Sequence, residues 1–576
     1  MKESRVETIK RASHGLRGTL GETLADAHPA VPDDDAQVLK FHGIYQGDDR
    51  DARRARRATG TEARTWFMVR AKIPGGRLTA EQYLALDDLA ERTTWNRSLR
   101  VTTRQGLQLH GVGKGDLRPA LQAMHRALVT TLAACGDVQR NVMASPAPLA
   151  DGPHRAVRDL AAAISRELAP RSGAYHEIWL DGERVDPGAE EEPFYGDTYL
   201  PRKFKVAVGL PEDGCLDLYS QDVALVALVE RGRVLGYDVL AGGGLGMTHR
   251  KADTFARLAS PIGSVAPEHA VGAVRVIASI FRDHGNRADR RHARLKYLLE
   301  AWGLERFRRE VERRADFPLL PWVDVGRPAA RELLGLHPQG DGRSFYGVAV
   351  PNGRVVDESA QRLKSALRQA VETLRPRVVL TPDQNLLLAD LEPGDDERLE
   401  TILAAYEVPL PRRVSPLRRL ALACPALPTC GLALTEAERA MPRALAALED
   451  ELASWRLDEE PVVVRMTGCP NGCARPYTAD IGIVGSGIGS YDLYVGGGAA
   501  GDRLARLWDS AVPLDELAVN LRPLLARWKA ERWAGEGLGD FVERAFGAGG
   551  GLLTGGKDDP LAARLAAGAA VAAAAR

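Results

Sequence analysis

Cysteine is scarce in this chain, with six in 576 residues. So few cysteines in so long a chain exclude the disulfide framework that holds small secreted domains together. An excess of charge is also absent, because 77 Lys and Arg residues balance 77 Asp and Glu residues. The chain therefore lacks the overall basic character of a nucleic-acid-binding protein.

Long apolar runs are missing as well. The C-terminal stretch LAARLAAGAAVAAAAR is too short and too weakly apolar to cross a bilayer, and we interpret it as a poorly ordered or marginally helical end. The start, MKESRVETIKR, is charged rather than apolar, so we expect no secretory signal and a cytoplasmic location. The length has room for several domains with ample cores. These features favour a large enzyme with neither nucleic-acid nor membrane partners.

Four of the six cysteines form one pattern near the C-terminal end. Cys424 and Cys430 stand in ACPALPTC, and Cys469 and Cys473 stand in RMTGCPNGC. Two paired spacings, separated by a gap the size of one structural element, predict one site built from two loops. Four thiolates at one site hold either a zinc ion or an iron–sulfur cluster.

The spacing of the pairs favours the cluster over zinc. Neither C-x5-C nor C-x3-C fits the two-residue knuckle that many structural zinc sites use. Gly468 and Gly472 would let backbone amides approach the sulfur atoms and stabilise negative charge on them. From spacing alone, zinc stays open as the alternative.

An internal repeat runs through the chain. FMVRAKIPGGRL (67–78) parallels YGVAVPNGRV (346–355), and LRVTTRQGLQLHGV (99–112) parallels VVLTPDQNLLLADL (378–391). A helix-like stretch separates the two parts in each copy: AEQYLALDDLAER in the first and ESAQRLKSALRQAVETL in the second. Each copy predicts strand, helix, strand, and the pair predicts a duplicated fold with pseudo-two-fold symmetry.

The two copies differ in charge. Arg104 stands where the second copy has Asp383, and Arg70 stands where it has Gly347. Alternate residues of a strand share one face, so the cations of the first copy would lie together. Ordinary solvated strand faces are the alternative interpretation. We favour a polyanion site in the first copy and a scaffold role for the second, because apolar residues alternate with the cations.

The cysteine motifs resemble those of a known family. CPALPTCGLALTEAER followed by RMTGCPNGCARPY resembles the cluster-binding signature of sirohaem-type sulfite reductases, and the similarity extends over most of the chain. The resemblance implies that the four cysteines hold a 4Fe-4S cluster and that Cys473 also bridges to the iron of a sirohaem.

The expected fold is α+β: an internally duplicated nitrite/sulfite reductase fold, with pseudo-two-fold half-domains and two mixed α/β cofactor-binding domains. The expected divisions are an N-terminal segment (1–60), a first ferredoxin-like half-domain (61–145), a first sirohaem-binding α/β domain (146–335), a second half-domain (336–410), a second α/β domain with the cysteines (411–545) and a low-complexity tail (546–576). We predict a strand at VVVRM and a helix within GLALTEAERAMPRALAALEDEL, with Thr435 and Glu438 as its capping box.

Sirohaem carries many carboxylates, and buried carboxylates need Arg or Lys partners. The resemblance implies that the cofactor contacts Arg100, Thr102, Arg104, Gln108, His110, Gly242, Gly243, Gly244, Arg294, Asn471 and Cys473. Taken alone, the three glycines would equally suit a tight turn, and the basic segment around Arg294 would suit a solvated face.

Four further cations match the anion-binding positions of the family: Arg70, Arg140, Lys203 and Lys205. Alone, Lys203 and Lys205 would suit a charged edge strand that prevents aggregation. The matching order of all four instead implies a catalytic set for sulfite. In it the arginines hold and orient the anion, and the lysines donate protons.

The implied function is assimilatory sulfite reductase, a six-electron reduction of sulfite to sulfide with electrons passing from the cluster through Cys473 to the sirohaem. AGGGLG lacks the layout of a dinucleotide-binding loop, so a separate protein must deliver electrons. Stretches such as LPRKFKVAV resemble those of the ferredoxin-dependent branch of the family, which implies ferredoxin as the donor. The haemoprotein subunit of an NADPH enzyme with a flavoprotein donor is the alternative.

Two other functions compete with this one. A sirohaem nitrite reductase would reduce a similar anion with the same cofactors, although the cysteine loops look like the sulfite branch. A non-catalytic zinc or iron–sulfur binding protein would keep the cysteines. It would have no reason to keep cations in one copy and lose them in the other.

Overall fold

The structure is a computed structural model that describes residues 3–60, 64–172, 174, 178–180, 183–185, 192–326, 332–547, 552–554 and 561. It confirms the α+β class, with mixed sheets and packed helices. No helix in these ranges is both long and apolar enough to cross a membrane. The expected tail (546–576) lies mostly outside the described residues.

The N-terminal segment and the first half-domain share one sheet. Their elements are α1 (Arg5–Ala12), α2 (Leu20–Ala25), α3 (Asp33–Leu39), β1 (Ile44–Asp48), α4 (Arg50–Thr59), β2 (Thr65–Arg70), β3 (Arg77–Leu78), α5 (Ala80–Thr93), β4 (Leu99–Val101), β5 (Leu107–Val112) and α6 (Lys114–Arg126). The predicted helix is α5, which begins at a capping box formed by Thr79 and Gln82.

The next part of the chain forms a second sheet with helices on it. Its elements are β6 (Met143–Ala144), α7 (Gly152–Glu167), β7 (Ile178–Leu180), β8 (Glu183–Val185), β9 (Val206–Gly209), β10 (Val223–Glu230), β11 (Arg233–Ala241), β12 (Phe255–Arg257), β13 (Ser260–Val265), α8 (Ala270–His284), α9 (Leu295–Trp302) and α10 (Leu304–Arg314).

The second half-domain repeats the first with one local difference. Its elements are β14 (Gly335–Pro338), β15 (Ser344–Val348), β16 (Arg354–Val355), β17 (Asp357–Glu358), β18 (Gln361–Arg362), α11 (Leu363–Leu374), β19 (Arg377–Leu380), β20 (Leu386–Leu391) and α12 (Asp395–Ala405). The predicted helix is shorter than the sequence suggested, because β17 and β18 pair as a small hairpin before α11.

The last part carries the four cysteines. Its elements are α13 (Pro416–Arg419), β21 (Leu422–Ala423), α14 (Met441–Ser454), β22 (Val464–Thr467), β23 (Ile481–Gly487), β24 (Ser490–Val495), β25 (Arg506–Pro513), α15 (Leu517–Glu531), α16 (Leu538–Phe546) and β26 (Leu552–Thr554). The predicted strand at VVVRM is β22.

The two half-domains exchange their edge strands. The first sheet has the order β1-β2-β5-β4-β16, and the matching sheet has the order β14-β15-β20-β19-β3. Strand β16 therefore joins the first copy, where Arg354 pairs with Arg100, while β3 joins the second copy. The repeated segments at 67–78 and 346–355 thus tie the two copies together.

The two α/β sheets are also duplicates, which the sequence analysis did not detect. The orders β6-β9-β10-β11-β13 and β21-β22-β23-β24-β25 both begin with two parallel pairings and end with two antiparallel ones. A shift of 258 residues superposes Asp222 on Asp480, before β10 and β23, and Cys215 on Cys473. The loops that follow corresponding strands can therefore be compared residue by residue.

Candidate functional site

A cavity of about 580 Å³, here called the main cavity, lies where the first half-domain meets both α/β sheets. Its lining includes all four patterned cysteines, Cys424, Cys430, Cys469 and Cys473. It also includes most of the predicted cations and polar groups: Arg70, Arg100, Thr102, Arg104, Gln108, His110, Arg140, Lys203, Lys205 and Asn471. The fold thus brings together residues that lie up to several hundred positions apart in the chain.

A second cavity, here called the side cavity, has a volume of about 240 Å³ and is lined by Arg294. Five predicted residues line both cavities: Arg104, Lys203, Lys205, Asn471 and Cys473. The two cavities therefore adjoin along this shared wall. The predicted site residues all line one or the other, except the three glycines at 242–244.

The cysteine loops follow neighbouring parallel strands. Cys424 comes directly after β21, and Cys469 comes two residues after the end of β22. Gly468 packs so closely that a Cβ atom there would lie 2.5 Å from the carbonyl oxygen of Thr435, and its amide points at Cys424 Sγ from 3.4 Å. Gly472 has φ +61°, a conformation that favours glycine. These two glycines let the backbone fold tightly around the sulfur atoms.

The thiols influence one another electrostatically. Burial and the charge of Cys473 raise the pKa of Cys469 to about 12. Burial and the same charge raise the pKa of Cys430, and raise that of Cys424 well above its ordinary value. Four thiolates in one cavity therefore need a strongly positive group between them to stay ionised.

The donor set suits a cluster better than a single ion. Among the described residues, no three His, Cys, Asp or Glu side chains are placed to hold one metal ion. The four cysteines nevertheless line one cavity from two facing loops. Thiolates spread around a cavity fit a polynuclear iron–sulfur cluster.

Arg70 is held in place from several sides. Its Nη1 donates to Cys135 Sγ at 2.8 Å, and its guanidinium lies 6.0 Å from the ring centre of Tyr45. The Gln108 amide fits its neighbours when its oxygen accepts from Arg70 Nε at 2.9 Å. Its nitrogen then donates to His110 Nε2 at 3.3 Å. Arg70, Gln108 and His110 thus form one polar chain along the cavity wall. Burial and neighbouring arginines hold the pKa of His110 well below its usual value, so this ring is neutral.

Arg100 is engaged by Glu438 rather than free in the cavity. Glu438 Oε2 lies 3.2 Å from Arg100 Nε, and Glu438 Oε1 lies 2.7 Å from Arg354 Nε. The predicted capping box is therefore wrong: α14 begins only at Met441, and Thr435 accepts from the amide of Gly489 instead. The glutamate instead pairs with Arg100, which is buried, and with Arg354, which is half-buried.

Arg104, in the first half-domain, lies on the wall that both cavities share. It donates to Gln221 Oε1 at 2.7 Å and to the carbonyls of Asn141 and Val206 at 2.8 and 3.1 Å. Its Nε is buried without a partner in the described structure. Burial and nearby cations lower the pKa of Arg104 to about 9. An unpaired buried donor beside both cavities fits an anionic ligand there.

The lysines and Arg294 converge on the shared wall. Arg294 pairs with Asp222, with Nη2 2.8 Å from Oδ2, and the same oxygen accepts from the backbone amide of Lys205 at 2.8 Å. Burial, with smaller contributions from Arg294 and Arg202, lowers the pKa of Lys203 to about 7. The pKa of Lys205 is held well below its usual value by burial and by Lys203. This cluster of positive groups would favour a bound anion.

The glycine-rich turn lies behind the cavity wall. Gly243 packs against the backbone of the preceding loop, where a Cβ atom would lie 2.3 Å from the carbonyl oxygen of Tyr219. The lining of the side cavity begins two residues later, with Leu245 to Thr248. The turn therefore places these residues, and Met247 donates from its amide to the carbonyl of Pro470 in the cysteine loop at 2.9 Å.

The structure adds residues that the sequence analysis missed. Additional polar and aromatic groups lining the cavities are Lys40, Tyr45, Trp66, Asn141, Arg202, Arg290 and Tyr297. Arg290 belongs to the cation-rich segment HGNRADRRHARLKY, so composition gave a signal for it. Tyr45 and Trp66 carry no comparable signal, because aromatic residues on strands are usually core residues.

Family models match two kinds of segment in this chain. A model described as the nitrite and sulphite reductase 4Fe-4S domain matches residues 161–319. A model described as the nitrite/sulfite reductase ferredoxin-like half domain matches residues 61–127 and again 337–406. The half-domain match thus recovers both copies of the repeat, and the other match covers most of the first α/β sheet rather than the cysteine loops.

Curated relatives match nearly the whole chain. The sulfite reductase (NADPH) hemoprotein beta-component of Acidithiobacillus ferrooxidans is 46% identical, over 94% of this chain and 96% of the relative. The sulfite reductase (ferredoxin) of Synechococcus elongatus is 42% identical, over 94% of this chain and 89% of the relative. Among solved structures, Mycobacterium tuberculosis NirA superposes with a TM-score of 0.76, over 94% of this chain and 97% of that chain, at 24% identity. That structure supports the fold.

Proposed function

The chain belongs to the nitrite and sulfite reductase family, and we propose that it is an assimilatory sulfite reductase that reduces sulfite to sulfide. The observation that carries this proposal is the shared lining of the main cavity, where four cysteines face the predicted anion-binding cations. A redox centre and an anion site within one cavity are what the reduction of a small oxyanion requires.

Sirohaem and a 4Fe-4S cluster are the cofactors that fit these residues. Cys424, Cys430, Cys469 and Cys473 would hold the cluster, and Cys473, which lines both cavities, would be shared with the sirohaem. Arg104 and Arg294 would meet the carboxylates of the tetrapyrrole. When bound, these groups supply the electron-transfer chemistry of the reaction.

The protein's own contribution is charge and protons. Arg70 and Arg140, both on the main cavity, would bind and orient the sulfite oxygens, because guanidinium groups stay charged. Lys203 and Lys205 would donate protons as the oxygens leave as water, because their ammonium groups can lose protons and regain them. The neutral His110 and Gln108 would hold Arg70 in place.

A direct assay tests the proposed reaction without a natural donor. The purified protein, supplied with reduced methyl viologen, should produce sulfide from sulfite with a higher kcat/KM than it shows for nitrite. The control is the Cys473→Ser variant, which should produce almost no sulfide. Equal or greater efficiency with nitrite would contradict the proposal and favour a nitrite reductase.

The electron donor is the second part of the proposal, and we propose ferredoxin. Motifs such as LPRKFKVAV favour it, and a ferredoxin-dependent relative is 42% identical. The NADPH flavoprotein is the rival candidate, which the 46% identity to a hemoprotein beta-component supports. Sulfide production should be faster with reduced ferredoxin than with NADPH and a flavoprotein subunit. The reverse result would assign the chain to the NADPH enzyme.

A further inference from the structure

A cluster of buried charges lies between α1 and the body of the protein, and of its members only Arg290 lines a cavity. Lys10 and Glu7 of α1 are only 2% and 0% exposed. Lys10 Nζ lies 2.8 Å from Glu7 Oε1 and 3.1 Å from Asp137 Oδ2. It also donates to the carbonyl of Leu200 at 2.8 Å. The three protons of this ammonium thus have three acceptors, and fully buried lysines occur almost only when paired.

Two arginines complete the cluster from the other side. Arg290 binds both carboxylate oxygens of Asp137, at 2.8 and 3.1 Å. Arg287 pairs with Glu7 and donates to the carbonyls of Thr198 and Tyr199 at 3.2 and 2.7 Å. Each buried carboxylate therefore has cationic partners on both sides. Removing one member of such a cluster leaves an uncompensated buried charge.

The cluster holds one end of a two-stranded ribbon, defined here as residues 137–140 and 200–205. The amide of Leu200 donates to the carbonyl of Asp137 at 2.9 Å. Further along, the amide of Phe204 donates to Val138 at 3.0 Å, and the amide of Arg140 donates to Phe204 at 2.8 Å. The two segments therefore cannot move independently.

The same ribbon carries three of the predicted anion-binding cations. Arg140 lines the main cavity, and Lys203 and Lys205 line both cavities. Lys10 contacts both segments of the ribbon, through the Asp137 carboxylate and the Leu200 carbonyl. It reaches no cavity itself among the described lining residues.

We propose that Lys10 is a positioning residue: from the N-terminal helix it fixes the two segments of the ribbon and so sets the positions of Arg140 and Lys203 for an oxyanion. This inference rests on the proposed function for its chemical meaning. A displacement of about 1 Å in a reacting site can cost about a hundredfold in rate, so a remote anchor matters to the chemistry.

Hydrogen exchange of the full-length holoenzyme tests the anchoring itself. In Lys10→Met, the amides of Leu200, Phe204 and Arg140 should exchange about tenfold faster or more, because the buried anchor is lost. Arg11→Met is the matched control, since Arg11 lies on the same helix and pairs with Glu3 at the surface. It should leave these amides unchanged. Unchanged exchange in Lys10→Met would overturn the proposal.

Ligand binding tests the consequence for the site. The sulfite Kd, measured from the visible spectrum of the holoenzyme, should weaken about tenfold in Lys10→Met, whereas the affinity of carbon monoxide for the reduced enzyme should not change. Equal weakening of both ligands would indicate general disruption and overturn the proposal. So would an unchanged sulfite Kd.

The Lys10→Arg variant and the unmodified protein separate failure of the anchor from failure of the proposed function. Lys10→Arg keeps the charge and should restore most of the sulfite affinity, and it provides the test if Lys10→Met does not fold. Failure of Lys10→Arg to bind sulfite better than Lys10→Met would count against the proposal. If the unmodified protein does not reduce sulfite, the proposed function fails, but faster exchange in Lys10→Met would still establish the anchor.

Discussion

The two α/β sheets have the same strand order, yet the loops that follow corresponding strands carry different chemistry. After β21 and β22 stand Cys424 and Cys469. At the matching positions of the first sheet stand Ser145 and Pro211. Cys215 matches Cys473, but without partner cysteines it makes no cluster site. One sheet can therefore hold a cluster, and its duplicate cannot.

The same comparison holds in reverse for the cations. Lys205 precedes β9, and at the matching position before β22 stands Val463. The aspartates directly before β10 and β23 make similar contacts. Asp222 accepts from the amide of Lys205 and Asp480 accepts from the amide of Val463, both at 2.8 Å. The backbone framework is thus shared, while side chains at matching positions differ, including Lys205 and Val463. The two copies share a frame, and under the proposed function they would divide the chemistry between them.

The two copies also contact each other at matching positions. Asp217 and Arg475, which are 258 residues apart, form a buried ion pair. Arg475 also donates to the carbonyl of Cys215 at 2.7 Å. The loop that carries Cys473 is therefore braced by the matching loop of the other copy. This contact explains how a loop without a cluster still contributes to the site.

Replacing each of the two matching cysteines with serine should give the largest difference in activity between two variants. Cys473→Ser should lose more sulfite-reducing activity than the ~100-fold that removal of an outer-shell partner costs, because a ligand itself is lost. Cys215→Ser should retain most activity. Iron content and sulfide production measure both. Equal losses in the two variants would contradict the division of chemistry between the copies.

Removing one cation from each half of the molecule sharpens the comparison of charges. Lys203→Met should lower kcat/KM for sulfite by about a hundredfold or more, the range expected for a proton donor. Lys364, in the second half-domain, is also mostly buried and pairs with Glu91 at 2.7 Å. Lys364→Met should reduce stability but leave kcat/KM near its original value. An equal effect on kcat/KM would show that charge in the second half-domain also serves catalysis.

Glu438 links the two half-domains and should matter for stability. Glu438→Gln leaves Arg100 and Arg354 without their carboxylate, and we expect a loss of roughly 3 kcal/mol in the free energy of unfolding. Glu436→Gln is the control, because that side chain pairs with Arg439 at the surface. Urea denaturation compares the two variants. A loss no larger than in the control would show that the arginines do not need this partner.

An effect no larger than that of Glu438→Gln should come from converting a first-copy residue to its counterpart. Asp213 matches Asn471, and burial raises the pKa of Asp213 from 3.8 to about 6. Folding therefore favours the protonated Asp213 carboxyl. Its contribution to the free energy of unfolding is fully present below pH 3.8 and is lost as the pH rises through about 6. The change in the free energy of unfolding caused by Asp213→Asn should consequently be more stabilising at pH 8 than at low pH, by up to about 3 kcal/mol.

Asp480 provides the matched control for this pH effect. Burial also raises its pKa to about 6, but its two oxygens accept from the backbone amides of Val463 and Gly539. An amide can accept at only one of these positions, so Asp480→Asn should destabilise the protein at both pH values. Thermal unfolding at pH 5 and pH 8 compares the variants. A stabilising effect of Asp213→Asn that does not grow with pH would refute the assignment.

Local patterns in the sequence were sufficient to predict the half-domain repeat and the cysteine site. Turn motifs and alternating strands marked the repeat, and Cys469 and Cys473 stood in one unusual loop. The duplication of the α/β sheets was missed, because matching positions such as Lys205 and Val463 share a backbone role without sharing chemistry. Glu438 was misassigned because local spacing cannot reveal its ion pairs with the distant Arg100 and Arg354, or that α14 begins only at Met441.

The N-terminal contribution could not have been predicted either. Lys10 and Asp137 lie far apart in the chain, and each alone looks like an ordinary surface charge. Only the packing of α1 against the ribbon reveals that both are buried. Long-range charge pairing leaves no periodic signal, so it becomes visible only once the fold is known.

The metal and pigment content of the purified protein tests the central claim most directly. We predict about four inorganic sulfides and about five irons per chain, together with the visible absorption of a reduced-type tetrapyrrole. These values should fall in Cys473→Ser and stay unchanged in Cys215→Ser. A colourless protein that contains zinc in place of iron would contradict the account.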